Sequence, residues 1–342
     1  MKKERLLYLD FIRAIAAISI ILTHYNARYI LLLEEPVWKN VVLTGTVANI
    51  YIGNWGVSLF FIISGAALMY TYDDKCNLKY FYKKRFKAIY PMFWIAYAMG
   101  FLYYFYIYKA IPFNAPKINF IFTILGMDGY LMENIPTFYI LGEWFLGAII
   151  LMYIIFPFLR IVLDKHPKIL AFFVVIIYLC VIWKYDLPLS QNKFLLTRIP
   201  EFLFGMYFVK YMKKVNKLEV FIAATILILN TILRPEFNES LQTTYVGISS
   251  FIVLVFISGL MKYNFVKLPC EIISKYSYAI FLVHHIVIAQ VMAKFDYPNF
   301  SVLYSYVLFA LCCTVIAVMT IVLYRINSKV LAFVGACCEK TK

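Results

Sequence analysis

Arg13 and His24 stand eleven residues apart in RLLYLDFIRAIAAISIILTHY, an otherwise apolar run. At 3.6 residues per turn, eleven steps close almost three turns, so on a helix both side chains share one face about 16 Å apart along the axis. A guanidinium stays charged and binds phosphate in a bidentate manner, whereas an imidazole exchanges a proton near neutral pH. A phosphate-bearing cofactor at one end and proton transfer at the other is the chemistry this stripe suits. Asp10, one turn before Arg13, is placed for an i,i+3 pair that lowers the cost of burying the guanidinium. The plainer reading is an arginine that snorkels to headgroups and a histidine bonded to a neighbouring helix.

The elements that carry these groups must lie in a membrane. Hydrophobic residues make up 63% of the 342, and charged ones only 15%, well below the roughly quarter found in soluble domains. Ten apolar segments approach the ~20 residues a span needs: residues 6–31, 47–70, 88–108, 138–159, 169–183, 194–211, 218–233, 244–261, 277–293 and 301–324. The prediction is an all-α, polytopic helical membrane protein of about ten transmembrane helices in a single domain, 1–342. The run 118–125 is too short to span. It is assigned to an outer loop, 109–137, that dips partly into the interface, and eleven spans is the structural alternative.

Lys and Arg concentrate in alternate loops, which fixes direction. Basic residues gather before Leu6, from Lys75 to Lys87, from Arg160 to Lys168, from Lys210 to Lys217, from Lys262 to Lys275 and after Arg325, so both termini are expected in the cytoplasm. The same distribution accounts for the net charge of +15 without a nucleic-acid partner. The N-terminal run imitates a signal peptide, but Asp10 and Arg13 interrupt it and it reads as a retained first span. Seven cysteines show no metal-ligand spacing, so neither zinc nor a disulfide framework is expected. Cys337 and Cys338 read as unmodified thiols, with palmitoylation the alternative. No internal repeat of the kind that builds inverted-repeat transporters is evident.

Beyond span 1, several segments carry ionisable groups or small residues in order: GVSLFFIISG (56–65), RFKAIYP (85–91), EWFL (143–146), RIPEFLFGM (198–206) and YSYAIFLVHH (276–285). Together with Arg13 and His24 they resemble the integral-membrane acyltransferase 3 family, with Lys87 where a second arginine is expected. The match covers nearly the whole chain. It implies an acyl-CoA-dependent O-acyltransferase of the bacterial cytoplasmic membrane. Such an enzyme takes acetyl-CoA or another acyl-CoA from the cytoplasm and acylates a sugar of a surface or exported polysaccharide, or its lipid-linked precursor, at the outer face. Polysaccharide synthesis or export machinery and membrane lipids are the expected partners, and no metal is required.

Residue by residue, His24 is the expected base, about 27 Å along the axis from Leu6 and so in the outer half. Glu143 is the first candidate to orient it. Arg13 with Arg85, Lys84 and Lys87 would hold the CoA phosphates, topology and anionic lipid being the competing explanation for the lysines. Ser64 and Gly65 would admit the pantetheine arm, or else pack helices. Arg198, Glu201 and Trp144 are placed at the outer mouth, where an ion pair of Arg198 with Glu143 or Glu201 is an equal alternative. Tyr130 and Tyr139 join Trp144 as stacking candidates in the aromatic belt. At most one of His284 and His285 should face His24, because adjacent helical residues diverge by about 100°, and His284 is preferred. His166 is expected in solvent. A secondary transporter or sugar flippase, or a non-catalytic export subunit, would use the same charges without acyl-CoA chemistry.

Overall fold

The computed structural model describes residues 4–109, 114–142 and 144–340, without the side chains of 337–340. The chain runs through Leu7–Ile30 (α1), an antiparallel ribbon of Thr46–Val47 (β1) and Ile50–Tyr51 (β2), Ile52–Tyr72 (α2) and Leu78–Tyr108 (α3). Two short helices, Phe120–Leu125 (α4) and Asp128–Leu131 (α5), precede Trp144–Lys165 (α6), Pro167–Trp183 (α7), Leu195–Tyr207 (α8) and Lys217–Leu233 (α9). Glu239–Ile257 (α10), Asn264–Met292 (α11) and Val302–Lys340 (α12) complete the series.

Each of the ten apolar segments falls on a helix, but among the described residues seven helices are long and apolar enough to cross a membrane: α1, α2, α3, α6, α10 with its extension to Lys262, α11 and α12. α7 and α9 have 17 residues each, and α8 has 13 before a π-helical turn, Phe208–Met212. The count of ten therefore does not follow from length. Two local expectations change as well. The basic stretch 79–87 is the opening of α3 rather than a loop, and α6 begins at Trp144, some residues later than the apolar run. The run 118–125 within the predicted outer loop is largely the short helix α4.

Many large apolar side chains face outward, including Phe172, Phe173 and Val175 on α7, Phe221 and Ile232 on α9 and Leu303 and Val307 on α12. Such continuous apolar faces belong against hydrocarbon, where helices satisfy their own backbone hydrogen bonds.

The contacts divide the chain into two compact units, and α1, α6 and α11 contribute a segment to each. Unit 1 comprises residues 1–23, 43–77 and 148–275. Its centre is the crossing of α2 with α8, which two glycines make possible. A Cβ added to Gly65 would stand 1.9 Å from the Phe202 carbonyl oxygen, and one added to Gly205 would stand 1.9 Å from that of Ile62. Small residues of this kind let backbones approach where lipid supplies no hydrophobic drive for association. Side chains then tie neighbouring helices: Trp55 Nε1 donates to Ser250 Oγ at 2.8 Å, and Tyr178 donates to Thr244 Oγ1 at 2.7 Å. At one end Lys210 pairs with Asp73 at 2.9 Å and also with Asp164.

Unit 2 comprises residues 24–42, 78–147 and 276–342. Tyr278 donates to the Ile89 carbonyl at 3.0 Å and Tyr103 to Gln290 Oε1 at 3.0 Å, joining α3 to α11. The far end of α1 is fastened by Asn26, whose amide exchanges two hydrogen bonds with the Val42 backbone at 3.0 and 2.9 Å. Tyr25 donates to the Ser305 carbonyl at 2.6 Å, and Ser305 Oγ donates to that of Asn40 at 2.6 Å. In the segment between α3 and α6, Asp128 is fully buried, and burial pushes its carboxyl up to about 6.

Two outcomes follow. Gly65→Ala and Gly205→Ala should each lower the thermal midpoint in detergent by the equivalent of about 1–3 kcal/mol, whereas Gly335→Ala, with open space around it, should not. An equal midpoint for Gly65→Ala and wild type would disprove the tight crossing. Because the Asp128 carboxyl is raised from 3.8 to about 6, the folded state prefers it protonated, and stability falls as pH rises through that interval. Asp128→Asn should thus be more stable than wild type at pH 8, by about 2–3 kcal/mol at most, with the difference closing towards pH 4.

Candidate active site

His24, His284 and His285 meet in unit 2. The ring of His24 lies 4.8 Å from that of His284 and 5.0 Å from that of His285, both edge-on. The expectation that only one of the adjacent histidines would face His24 is therefore corrected. A 100° divergence still allows contact when the partner ring lies between the two directions, and His24 does so. His284 is completely buried, with Nδ1 2.7 Å from the Phe281 carbonyl and 3.1 Å from that of Ile280. Carbonyl oxygens only accept, so Nδ1 carries the proton and Nε2 of the neutral ring keeps its lone pair. No described residue bonds that Nε2. The backbone of α11 thus fixes one tautomer beside His24.

Gly142 closes the cluster. Its φ of +81° suits glycine, and an added Cβ would stand 2.6 Å from His285 Cγ. Both the left-handed backbone and the ring's position exclude a side chain there. Glu143, the candidate orienting carboxylate, lies outside the described residues. Trp144 is half-buried at the start of α6 and sits edge-on to Phe145 at 6.3 Å. Tyr130 is buried, its Cβ 2.5 Å from where a Gly147 side chain would begin, so it packs rather than offering a face to a sugar. Tyr139 is half-buried. Among the described residues, no three His, Cys, Asp or Glu side chains are disposed to hold a metal ion.

The Arg13 end of the stripe lies in unit 1. Arg13 Nη1 donates to Ser274 Oγ at 3.2 Å, and Ser274 Oγ donates to Asp10 Oδ1 at 2.6 Å. The expected i,i+3 approach of Arg13 to Asp10 is present at 3.7 Å. Asp10 also accepts from Arg5 Nε at 2.6 Å, and Arg5 reaches Glu271 at 3.5 Å. Arg13 retains about a quarter of its side-chain exposure, and these contacts anchor its guanidinium. Ser274 went unrecognised in the sequence, although a signal was there: it precedes His285 by eleven residues, as Arg13 precedes His24.

Arg85 is half-buried in the opening turns of α3 in unit 2, Lys84 lies 5.9 Å from the Tyr80 ring, and Lys87 is exposed. Ser64 is half-buried on α2, and the face of neighbouring Gly65 is filled by Phe202. Packing, not room for a pantetheine arm, is what Gly65 supplies. His166 is exposed just before α7. Arg198 and Glu201 pair with each other at 3.0 Å in unit 1 and have essentially no solvent contact, which realises the ion-pair alternative. Arg198 Nε also donates to the Asn192 carbonyl at 2.6 Å.

Removing one partner of so buried a pair strands a charge, at a cost of about 3–5 kcal/mol, whereas apolar replacement of both is far milder. Glu201→Leu should therefore lower the thermal midpoint more than the double variant Arg198→Met, Glu201→Leu. Strictly additive losses in that double-mutant cycle would show that the pair is not coupled.

Comparison with families of known proteins matches residues 6–324 to the acyltransferase domain family. Comparison with curated proteins and with solved structures gave no match. The matched span contains α1 to α11 and most of α12, including Arg13, Ser274 and all three clustered histidines. The chain therefore belongs to the acyltransferase 3 family.

Proposed function

We propose that the protein is a membrane O-acetyltransferase that moves an acetyl group from cytoplasmic acetyl-CoA to a sugar hydroxyl of a surface or exported polysaccharide, or its lipid-linked precursor, at the outer face. The observation that carries this reading is the histidine cluster around His24, set on the same helix as Arg13. In the proposed step His24 removes the proton of the acceptor hydroxyl and the oxygen attacks the thioester carbonyl. The carbon–sulfur bond breaks, and the CoA thiolate takes up a proton as it departs. Arg13, held by Ser274 and Asp10, bonds a CoA phosphate. His284, locked as the Nδ1–H tautomer by two carbonyls, carries an unprotonated Nε2 in the ring that packs against His24. Glu143 remains the proposed orienting carboxylate.

The basic residues before Leu6, in 75–87, 210–217 and 262–275 support a cytoplasmic placement of the Arg13 end. The helical rise of about 16 Å then carries His24 towards the other face. Donor and acceptor approach from opposite sides in this reading.

His24→Ala should abolish acylation while the protein still purifies as a monodisperse species, and wild-type turnover would remove His24 from the role of base. Gly142→Ala, which displaces the His285 ring, should reduce turnover by at least tenfold with a smaller effect on acetyl-CoA binding. In oriented proteoliposomes, acetyl-CoA on the Lys75 to Lys87 side should acylate a glycan confined to the other side. Transfer only when both substrates share a compartment would refute the transmembrane route, and sugar movement without acetyl-CoA would identify a flippase.

A further inference from the structure

The lysines so far assigned to the donor lie on α3, but the structure contains a second basic site, wholly within unit 1. A cavity of about 790 Å³ opens where the N-terminal segment, the turn after α8, the end of α10 and the start of α11 converge. Arg5, Lys213, Lys214, Lys262 and Lys267 line it, with Glu4 as its one acidic residue. Arg5 is already committed to Asp10 and Glu271. No ion pair between the four lysines and a described carboxylate is found; Lys262 instead lies 4.9 Å over the Tyr263 ring. So much like charge around one concavity is unfavourable until an anion enters.

The backbone builds this site. α8 ends in the π-helical turn Phe208–Met212, an irregularity often found at functional positions. The chain then reverses at Lys213, whose φ is +60° and whose N–H bonds the Phe208 carbonyl at 2.7 Å. Lys214 N–H bonds the Met212 carbonyl at 2.7 Å. The reversal brings Lys213 and Lys214 into the lining of the cavity, to which Lys262 and Lys267 also contribute. A smaller cavity of about 430 Å³ shares Leu6, Tyr8 and Lys213 with the first. Tyr8, which lines both, lies five residues before Arg13 on α1, about 7.5 Å along the axis.

We propose that this lysine-lined cavity is the site for the 3′-phosphoadenosine end of the acyl-CoA donor, with Arg13 left to meet the diphosphate further along the same helix. The proposal rests on the acyl-CoA reading above and deepens it. Four unpaired ammonium groups suit a ligand bearing several phosphates, and CoA places a 3′-phosphate and a diphosphate on one nucleoside. Recognition of the 3′-phosphate falls to Lys213 and Lys214, and Lys262 and Lys267 complete the charge balance.

The test uses the full chain in a neutral detergent, with adenosine 3′,5′-bisphosphate as the probe in calorimetry. Wild type should bind the probe, and Lys213→Ala with Lys214→Ala should weaken binding at least tenfold, the scale expected for losing a charge-assisted contact. Lys262→Ala with Lys267→Ala, on different elements, should weaken it similarly and guards against misfolding of the first variant. In turnover, KM for acetyl-CoA should rise with kcat within twofold, and the variants should no longer distinguish acetyl-CoA from acetyl-dephospho-CoA. Failure of wild type to bind the probe, or unchanged binding by both variants while Arg85→Ala loses it, would overturn the assignment. An effect confined to vesicles containing anionic phospholipid would assign these lysines to headgroups and overturn it too. Probe binding without any acyl transfer would instead leave this site standing and refute the acyltransferase reading.

Discussion

A charged or hydrogen-bonding side chain taken into hydrocarbon must find within the protein the partners that water would have given it. That constraint organises both groups of buried polar side chains. Asp10 carries much of it in unit 1, because its two oxygens accept from Arg5 and Ser274 while Arg13 approaches one of them. Without the carboxylate, two guanidinium groups near one helix end would repel each other with little to offset their desolvation. In unit 2 the same demand is met without charge, since the backbone carbonyls of Ile280 and Phe281 take the His284 proton. The result is an anchored cation at one end of the α1 stripe and, at the other, a ring with a fixed tautomer beside His24.

Close approach is the second requirement, and glycine meets it in two ways. At Gly65 and Gly205 the missing side chains let α2 and α8 touch backbone to backbone, so van der Waals contact replaces the hydrophobic drive that lipid cannot supply. At Gly142 the need is conformational as well as steric, because the backbone is left-handed where it passes the His285 ring. One kind of glycine makes the scaffold; the other shapes the site.

The proposed chemistry draws on this division. In that reading the enzyme holds a polyanionic donor and deprotonates a neutral hydroxyl, two tasks that need different groups: cations for the phosphates and a proton acceptor for the hydroxyl. Separating Arg13 from His24 by three helical turns lets one element serve both ends, and the lysine-lined cavity concentrates further positive charge beside the beginning of that element.

Composition and hydropathy alone determined that the chain is a helical membrane protein, because 63% hydrophobic and 15% charged content leaves no soluble alternative. The Arg13–His24 interval fixed a shared helical face for the same kind of reason: a 3.6-residue period is a local property of the backbone. The family was legible too, since short motifs keep their order whatever their packing. Tertiary structure decided what local periodicity cannot encode. Which helices are long enough to span depends on where each starts and ends: the opening turns of α3 carry a basic stretch that reads as a loop, and α8 gives way to a π-helical turn inside its apolar run. Ser274 found its role only when Arg13 came to lie against it, and both His284 and His285 reach His24 because of where α1 is packed, not because of their own spacing. Gly65 looks in sequence as fit for a ligand as for a neighbouring helix. The Phe202 carbonyl already occupies the space beside it, and a long-range contact of that kind has no signature in the residues on either side.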